Sequence, residues 1–382
     1  MTGNFIVKSA RFLLFLMPAL ALAIPAYAQD TREETLNDST VPGSVIVFPK
    51  FIQGTVALPE GGTAPATEIE IGIVCPEGQT CAEHESVKIL FHWVCPGPQD
   101  FAQKLICKET NFVVTATVFE KIVLSPDGVF TGVTTKTVPA APCPRGYLIG
   151  WVIRPSDDQP IKFDGLIGDA VLRESGTAVA SYSAIPIQAN PGMAYKAPID
   201  DEGDALFFDG GPNHYQAVTS EAYGDVRYSS AAGSTPPFAT THITLLTLDV
   251  LSNRPNNPVF VPLTFYGGFN SAIGNENPLS SFTEFVCWTE KRIDVDIQPS
   301  LTTTLMGRKG VVEFSRATKE AFAGIRDHTG PVTLLGLIET DEGPTSGSVA
   351  REYITPLFND GDVVPTCFVP SEGTACTLNN GG

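Results

Sequence analysis

The feature that most restricts this chain is a period of two in its hydrophobic pattern, carried by short runs that Gly, Pro, Asn and Asp punctuate at hairpin-like intervals. In Thr67–Val74, Ile69, Ile71 and Ile73 share one face while Glu68 and Glu70 share the other, as in a half-buried strand. In Val87–Cys95, Val87, Ile89, Phe91, Trp93 and Cys95 point one way, which predicts that Lys88 and His92 face the wetter side. The same logic puts Ile293, Val295 and Ile297 inward and Asp294 and Asp296 outward in a strand over Arg292–Ile297. Only Arg316–Ile325 predicts a helical turn or two. Many strands and almost no helix exclude a wound α/β fold and predict an all-β protein of antiparallel sheets.

A chain of 382 residues exceeds the usual size of one hydrophobic core, so two domains are expected. The order of strand-like blocks recurs once. Thr67–Val74 resembles Thr241–Val250, and Val87–Val94 resembles Val259–Tyr266. Leu105-Ile106-Cys107 has a counterpart in Phe285-Val286-Cys287, and Gly146–Ile153 has one in Val332–Ile338. Val179-Ala180 precedes Pro186 by the same separation as Val349-Ala350 precedes Pro356. The expectation is two tandem β-sandwich domains, residues 40–190 and 212–382, in which 67–189 and 241–358 share one strand order. Residues 29–39 form a polar N-terminal segment, and 191–211 an acidic Pro/Gly joint expected to be solvated. At the level of architecture this resembles immunoglobulin-like modules, although the antibody-type Cys…Trp…Cys spacing is absent.

Residues 1–28 have the form of a cleaved secretory signal peptide. Lys8 and Arg11 precede the apolar run Phe12–Ile24, and Ala26-Tyr27-Ala28 matches a small-x-small cleavage site. No later stretch approaches the roughly 20 apolar residues of a membrane helix, so no transmembrane anchor is expected. The net charge of −18 opposes binding to phosphate backbones, which excludes nucleic acid as a natural partner. Eight cysteines in an exported chain suit disulfides. Short, turn-containing separations favour Cys75/Cys81, Cys95/Cys107 and Cys367/Cys376, leaving Cys143 and Cys287 to pair across domains or stay buried as thiols.

Candidate chemistry is sparse. Cys75, Cys81, His84, His92 and Cys95 are metal-ligand types, but they lack the paired short separations of a zinc ribbon and sit in an oxidising context. Asp200, Asp201, Glu202 and Asp204 are a candidate calcium loop without the full EF-hand pattern, as is Asn359-Asp360-Gly361-Asp362. No nucleophile elbow occurs, and His84, His92, His214, His242 and His328 have no suggestive neighbours. Glu339 with Asp341, or Asp294 with Asp296, could serve as paired carboxylates, but alternation on a solvent-facing strand accounts for both. Trp93 and Trp151 lie on apolar strand faces and are expected in the core. Trp288, next to Cys287, is the surface candidate for stacking on a sugar. Gly307–Gly310 is too small a basic patch for phosphate, and Asn37-Asp38-Ser39 is a formal glycosylation sequon.

No catalytic residue and no cofactor beyond a possible calcium ion emerges from this pattern. The chain is expected to be an exported, periplasmic, extracellular or cell-surface protein with a structural, adhesive or assembly role, partnered by another protein or a surface glycan. The alternative is an extracellular carbohydrate-binding or carbohydrate-active protein, since sandwiches carry such sites on loops and concave faces.

Overall fold

The computed structural model describes residues 41–132, 135–174, 179–190, 192–199, 205–227, 240–267, 278–297, 309–325, 329–341, 349–356 and 366–370. Residues 1–28, expected to be a signal peptide, the polar segment 29–39, Asp200, Asp201, Glu202, Asp204, residues 359–362, His328 and Cys376 lie outside them. The described chain is nearly all β and its sheets are antiparallel apart from one short parallel pairing.

In the first half, the principal strands are β1 (Val45–Ile52), β2 (Thr67–Ile73), β3 (Ser86–Val94), β4 (Glu109–Thr117), β5 (Lys121–Ser125), β6 (Arg145–Ile153), β7 (Leu166–Arg173), β8 (Val179–Ser183) and β9 (Ile185–Ile187). The second half has β10 (Ala222–Arg227), β11 (Thr240–Leu246), β12 (Val259–Gly267), β13 (Leu279–Phe285), β14 (Trp288–Arg292), β15 (Lys309–Phe314), β16 (Leu335–Asp341), β17 (Val349–Tyr353) and β18 (Thr355–Pro356). The sheet β9-β1-β6-β3-β4 packs on β8-β7-β2-β5 around Phe48, Ile71, Phe91, Trp93 and Leu148. The sheet β18-β10-β15-β12-β13 packs on β17-β16-β11-β14 around Leu245, Leu263, Phe285, Val312 and Ile338. Each strand of the first half therefore has a counterpart nine positions later, with the same neighbours in the same chain order.

Register confirms this equivalence at single residues. Ile71 pairs with Gly168 across β2 and β7, and Leu245 pairs with Gly336 across β11 and β16. A Cβ on Gly168 would meet the Glu70 carbonyl and the Phe48 ring; one on Gly336 would meet the Thr244 carbonyl and Ile354. The same backbone bond crosses to the next sheet in both halves: Ala184 N donates to Gly168 O (2.7 Å) and Ile354 N to Gly336 O (3.3 Å). Pro186 and Pro356 sit on the edge strands β9 and β18, where a missing donor costs no ladder bond. Two of the block matches read from sequence are misaligned. Gly146–Ile153 corresponds to β15, not to Val332–Ile338, and Leu105–Cys107 precedes β4 whereas Phe285–Cys287 leads into β14. Apolar strands share a vocabulary, so composition alone paired strands that occupy different sheets.

The two halves belong to one compact unit. The outer face of β9-β1-β6-β3-β4 is covered: Val47, Tyr147, Ile149 and Trp151 form one buried cluster with Leu246, Trp288 and Leu335 of the second half and with Leu206, Phe208 and Tyr215 of the chain between. The strands β1 and β6 are therefore buried on both faces and almost continuously apolar, whereas the edge strand β4 still alternates, with Asn111, Val113 and Thr115 exposed. The covering also corrects His92, which is fully buried, stacked on Trp151 at 4.9 Å, and not on a wet face. The joint is corrected in its described part, since Ile199, Leu206 and Phe208 are buried and Lys196 N donates to Lys162 O (2.9 Å).

Other local expectations fail for identifiable reasons. Residues Ile293–Ile297 make a π-helical turn, not a strand, with Ile293 and Ile297 buried and Val295 exposed. In 316–325 the chain forms the two-residue strand Thr318–Lys319 and a turn rather than a helix. Cys75 bonds Cys81, but Cys95 bonds Cys143 and Cys107 bonds Cys287, so the local pairing Cys95/Cys107 is wrong. Cys95 and Cys107 point into different cores, on opposite sides of the same sheet. Cys367 is also disulfide-bonded.

The Cys107–Cys287 bond joins the halves over 180 residues. Peptide mapping of unreduced protein should recover Cys95–Cys143 and Cys107–Cys287 peptides and no Cys95–Cys107 peptide. The double variant Cys107→Ser/Cys287→Ser should lose about 2–5 kcal/mol in denaturant unfolding, as expected for a bond closing a long loop.

Candidate functional site

The densest group of charges lies where the two halves meet. Strand β1 carries one lysine, Lys50, in an otherwise apolar run, and a bulge between Phe48 and Phe51 offsets the strand at that point. The bulge is held from both sides. Trp288 Nε1 donates to Pro49 O (2.8 Å), and the Tyr182 hydroxyl donates to Lys50 O. The Lys50 side chain is 0% exposed, and its ammonium uses all three donors on carboxylates: Glu339 Oε2 (2.5 Å), Glu290 Oε1 (2.7 Å) and Glu174 Oε1 (2.7 Å). Glu339 lies on β16, Glu290 on β14 and Glu174 just beyond β7, so both halves supply ligands to one cation.

A second tier surrounds this centre. Arg145, at the start of β6, pairs with Glu290 Oε2 and lies 4.0 Å from Glu174, while His242 Nδ1 on β11 is 3.6 Å from Glu290 Oε1. Burial alone would lower the pKa of Lys50, but Glu339, Glu290 and Glu174 outweigh it and hold the ammonium above its ordinary value. Burial pushes Glu290 up, yet the hydrogen bond from His242 and the charges of Lys50 and Arg145 bring it well below the usual carboxylate range. Glu174 is lowered in the same sense, with burial opposed chiefly by Lys50.

This arrangement bears directly on chemistry. The carboxylate oxygens of Glu174, Glu290 and Glu339 lie within 4.8 Å of one another, a spacing suited to a hard cation. The Lys50 ammonium stands among them and supplies that positive charge. A lysine held protonated has no lone pair for nucleophilic attack, and Glu174 and Glu290, both held below the usual carboxylate range, are poor proton acceptors. What the geometry provides is an electrostatic clamp between halves. A separate ion pair, Lys319 Nζ to Asp249 Oδ2 at 3.0 Å, is buried within the second half.

The sequence-derived candidates are scattered. Cys75, Cys81 and Cys95 are consumed in disulfides, His84 is exposed at a turn with φ 60°, and His92 lies 3.5 Å from Glu109 in the interface. Trp93 and Trp151 are in the core as expected. Trp288 is not a surface platform: Cys287 takes a left-handed backbone (φ 63°), alternation breaks there, and Phe285 through Trp288 are all buried. Glu339 faces the interface rather than solvent, and the Asp341 side chain lies outside the described residues. Asp296 accepts from Arg292 N (2.8 Å), within the π-helical turn. His214 is paired with Asp209 at 2.6 Å. Lys50 was missed, although a lone lysine inside Val45–Ile52 was a visible signal that the charge needed a partner. Among the described residues, no helix is long and apolar enough to cross a membrane. No protein-family profile and no curated protein matches the chain.

Replacing Lys50 removes the ammonium that Glu174, Glu290 and Glu339 share, and Glu290 and Glu339 are largely buried. Lys50→Met should therefore cost about 3–5 kcal/mol in urea unfolding, and adding Glu339→Gln should restore part of that loss. The pH dependence follows from the directions above. Glu174 and Glu290 are depressed in the folded state, so their contribution is present above the unfolded value of about 4.3 and is lost as pH falls through the folded values. Lys50 is raised, so its contribution is complete below about 10.4 and is lost as pH rises through its folded value. Stability measured across pH should decline in acid, and Glu290→Gln should make that decline shallower.

Proposed function

We propose that the chain is an exported, non-enzymatic protein of two tandem immunoglobulin-like β-sandwich domains, residues 40–190 and 212–382, acting in cell-surface or periplasmic structure, adhesion or assembly. Its disulfides are consistent with export to an oxidising compartment. The observation that carries the reading is the outer face of β18-β10-β15-β12-β13. Over β1, β6 and β3 its counterpart in the first half is covered by the second half, yet here Tyr223, Val311 and Tyr266 are 40%, 37% and 38% exposed, and Phe282 on β13 is 58% exposed, as its counterpart Val113 is at 44%. Tyr223 stands where Val47 is buried, Val311 where Tyr147 is buried, and Tyr266 where Val94 is buried. Phe260 stacks on Phe282 at 5.3 Å, extending the patch across β12 and β13. Exposed aromatic side chains interspersed with polar ones, such as Glu313, which accepts from the Tyr266 hydroxyl (2.7 Å), have the composition of a protein-contact surface.

The role is tested by crosslinking and fractionation of the native cell with the wild type and a Tyr266→Ser/Phe282→Ser variant. The variant should fold normally, because both side chains face outward, and should lose a defined protein crosslink seen with the wild type. An identical crosslink pattern in the two would sink the proposal. So would turnover of an esterase, peptidase or glycosidase substrate that a folded Glu339→Gln variant abolishes.

A further inference from the structure

A cleft of about 500 Å³ opens in the first half, away from the aromatic face and the Lys50 clamp. Five separate stretches of chain build it: Val41 and Pro42 ahead of β1, Cys75–Gln79 after β2, Lys162 and Asp164 between β6 and β7, Gln188, Ala189, Met193 and Tyr195 after β9, and Gln216 ahead of β10. The Cys75–Cys81 bond stiffens one wall. Its size lies within the range of small-molecule sites, about 300–1,000 Å³.

The polar groups at its wall are fixed in advance. Asp164 Oδ1 accepts from Ser44 Oγ (2.6 Å) and from Ala189 N (2.9 Å), while Oδ2 lies 3.6 Å from Lys162 Nζ. The Gln188 amide donates to Val41 O and Pro42 O, both at 3.2 Å. Gln216 is 5% exposed, and its Oε1 accepts no hydrogen bond from any described residue. A buried acceptor without a donor is destabilising, so its persistence beside a cleft points to a donor brought by a ligand. Tyr195 adds an aromatic wall, held by donation from its hydroxyl to Glu85 Oε1 (3.2 Å).

We infer that this cleft binds a neutral saccharide of one or two rings. At the inner wall Lys162 and Asp164 offset each other, Lys162 Nζ also donating to Asn190 O (3.2 Å), and the remaining charge, Glu77, lies on the exposed rim, so nothing there favours an anion. Sugar hydroxyls donate and accept at once, which suits a fixed carboxylate, an ammonium and two amides arranged together. The C–H face of a pyranose fits against Tyr195. The site is independent of the aromatic sheet face.

The test is saturation-transfer NMR of the disulfide-intact mature chain against neutral mono- and disaccharides, with glucosamine and glucuronate as charged arms, followed by calorimetry on the best binder. A neutral sugar should bind, and Gln216→Leu and Asp164→Asn should each weaken it by about tenfold or more, as loss of a hydrogen bond to a buried polar group predicts. Gln216→Leu should not lower the melting temperature, because it removes an unpaired acceptor, so lost binding cannot be ascribed to unfolding. Tyr266→Ser/Phe282→Ser should bind the sugar unchanged, which separates this site from the aromatic face. No transfer to any neutral sugar, tighter binding of either charged arm, or affinity unaffected by both cleft variants would each overturn the inference.

Discussion

One ammonium group organises the contact on which this molecule depends. Lys50 Nζ sits on the dry outer face of β9-β1-β6-β3-β4 and is satisfied only when Glu290 and Glu339 of the second half arrive beside Glu174 of the first. The surrounding interface is apolar, built from residues such as Ile149, Trp151, Leu246 and Leu335. Apolar burial is non-directional and tolerates sliding. A shift of one strand spacing, about 4.8 Å, would strip the cation of its partners in a low-dielectric setting, so the ion cluster selects a single register. The Cys107–Cys287 bond then closes the same interface covalently.

The two halves show how one topology is specialised by its surfaces. Nine strands recur in the same order, and even the glycine beneath the crossing strand, Gly168 or Gly336, recurs for the same steric reason. What differs is the outside of each sheet. At the positions of Glu70, Gly72, Lys121 and Asp169 in the first half, the second half carries Thr244, Leu246, Trp288 and Leu337. The first set faces solvent or a shallow groove, with Glu70 and Lys121 paired at 2.9 Å; the second is buried against the first half. An equivalent framework thus presents a wet face in one copy and a docking face in the other.

Local signals in the sequence were legible where one face of a strand alone is buried. Ile69, Ile71 and Ile73 are inward and Glu68 and Glu70 are not, and the Val-to-Pro spacing located β8, β9, β17 and β18. The same reasoning misread His92, Trp288 and Glu339, all of which lie on faces that alternation marks as outer. Alternation tells which residues share a face, but not whether a second layer covers it. It also cannot see a bulge or a left-handed residue, and Cys287 reset the phase before Trp288. The cysteines failed in a related way, since Cys95 and Cys107 are close in sequence yet are committed to different cores.

What the amino-acid sequence determined by itself was the all-β class, the recurrence of its blocks, and the cysteine content suited to an oxidising compartment, because these depend on side-chain period and composition along the chain. Tertiary structure alone decided that the halves close on one another, that Lys50 meets carboxylates from both, that Cys107 finds Cys287, and that Gln188, Gln216, Lys162 and Asp164 converge on one cleft. Each of those outcomes joins segments tens to hundreds of residues apart, and which segments meet is set by sheet packing, a property of faces rather than of neighbours in sequence.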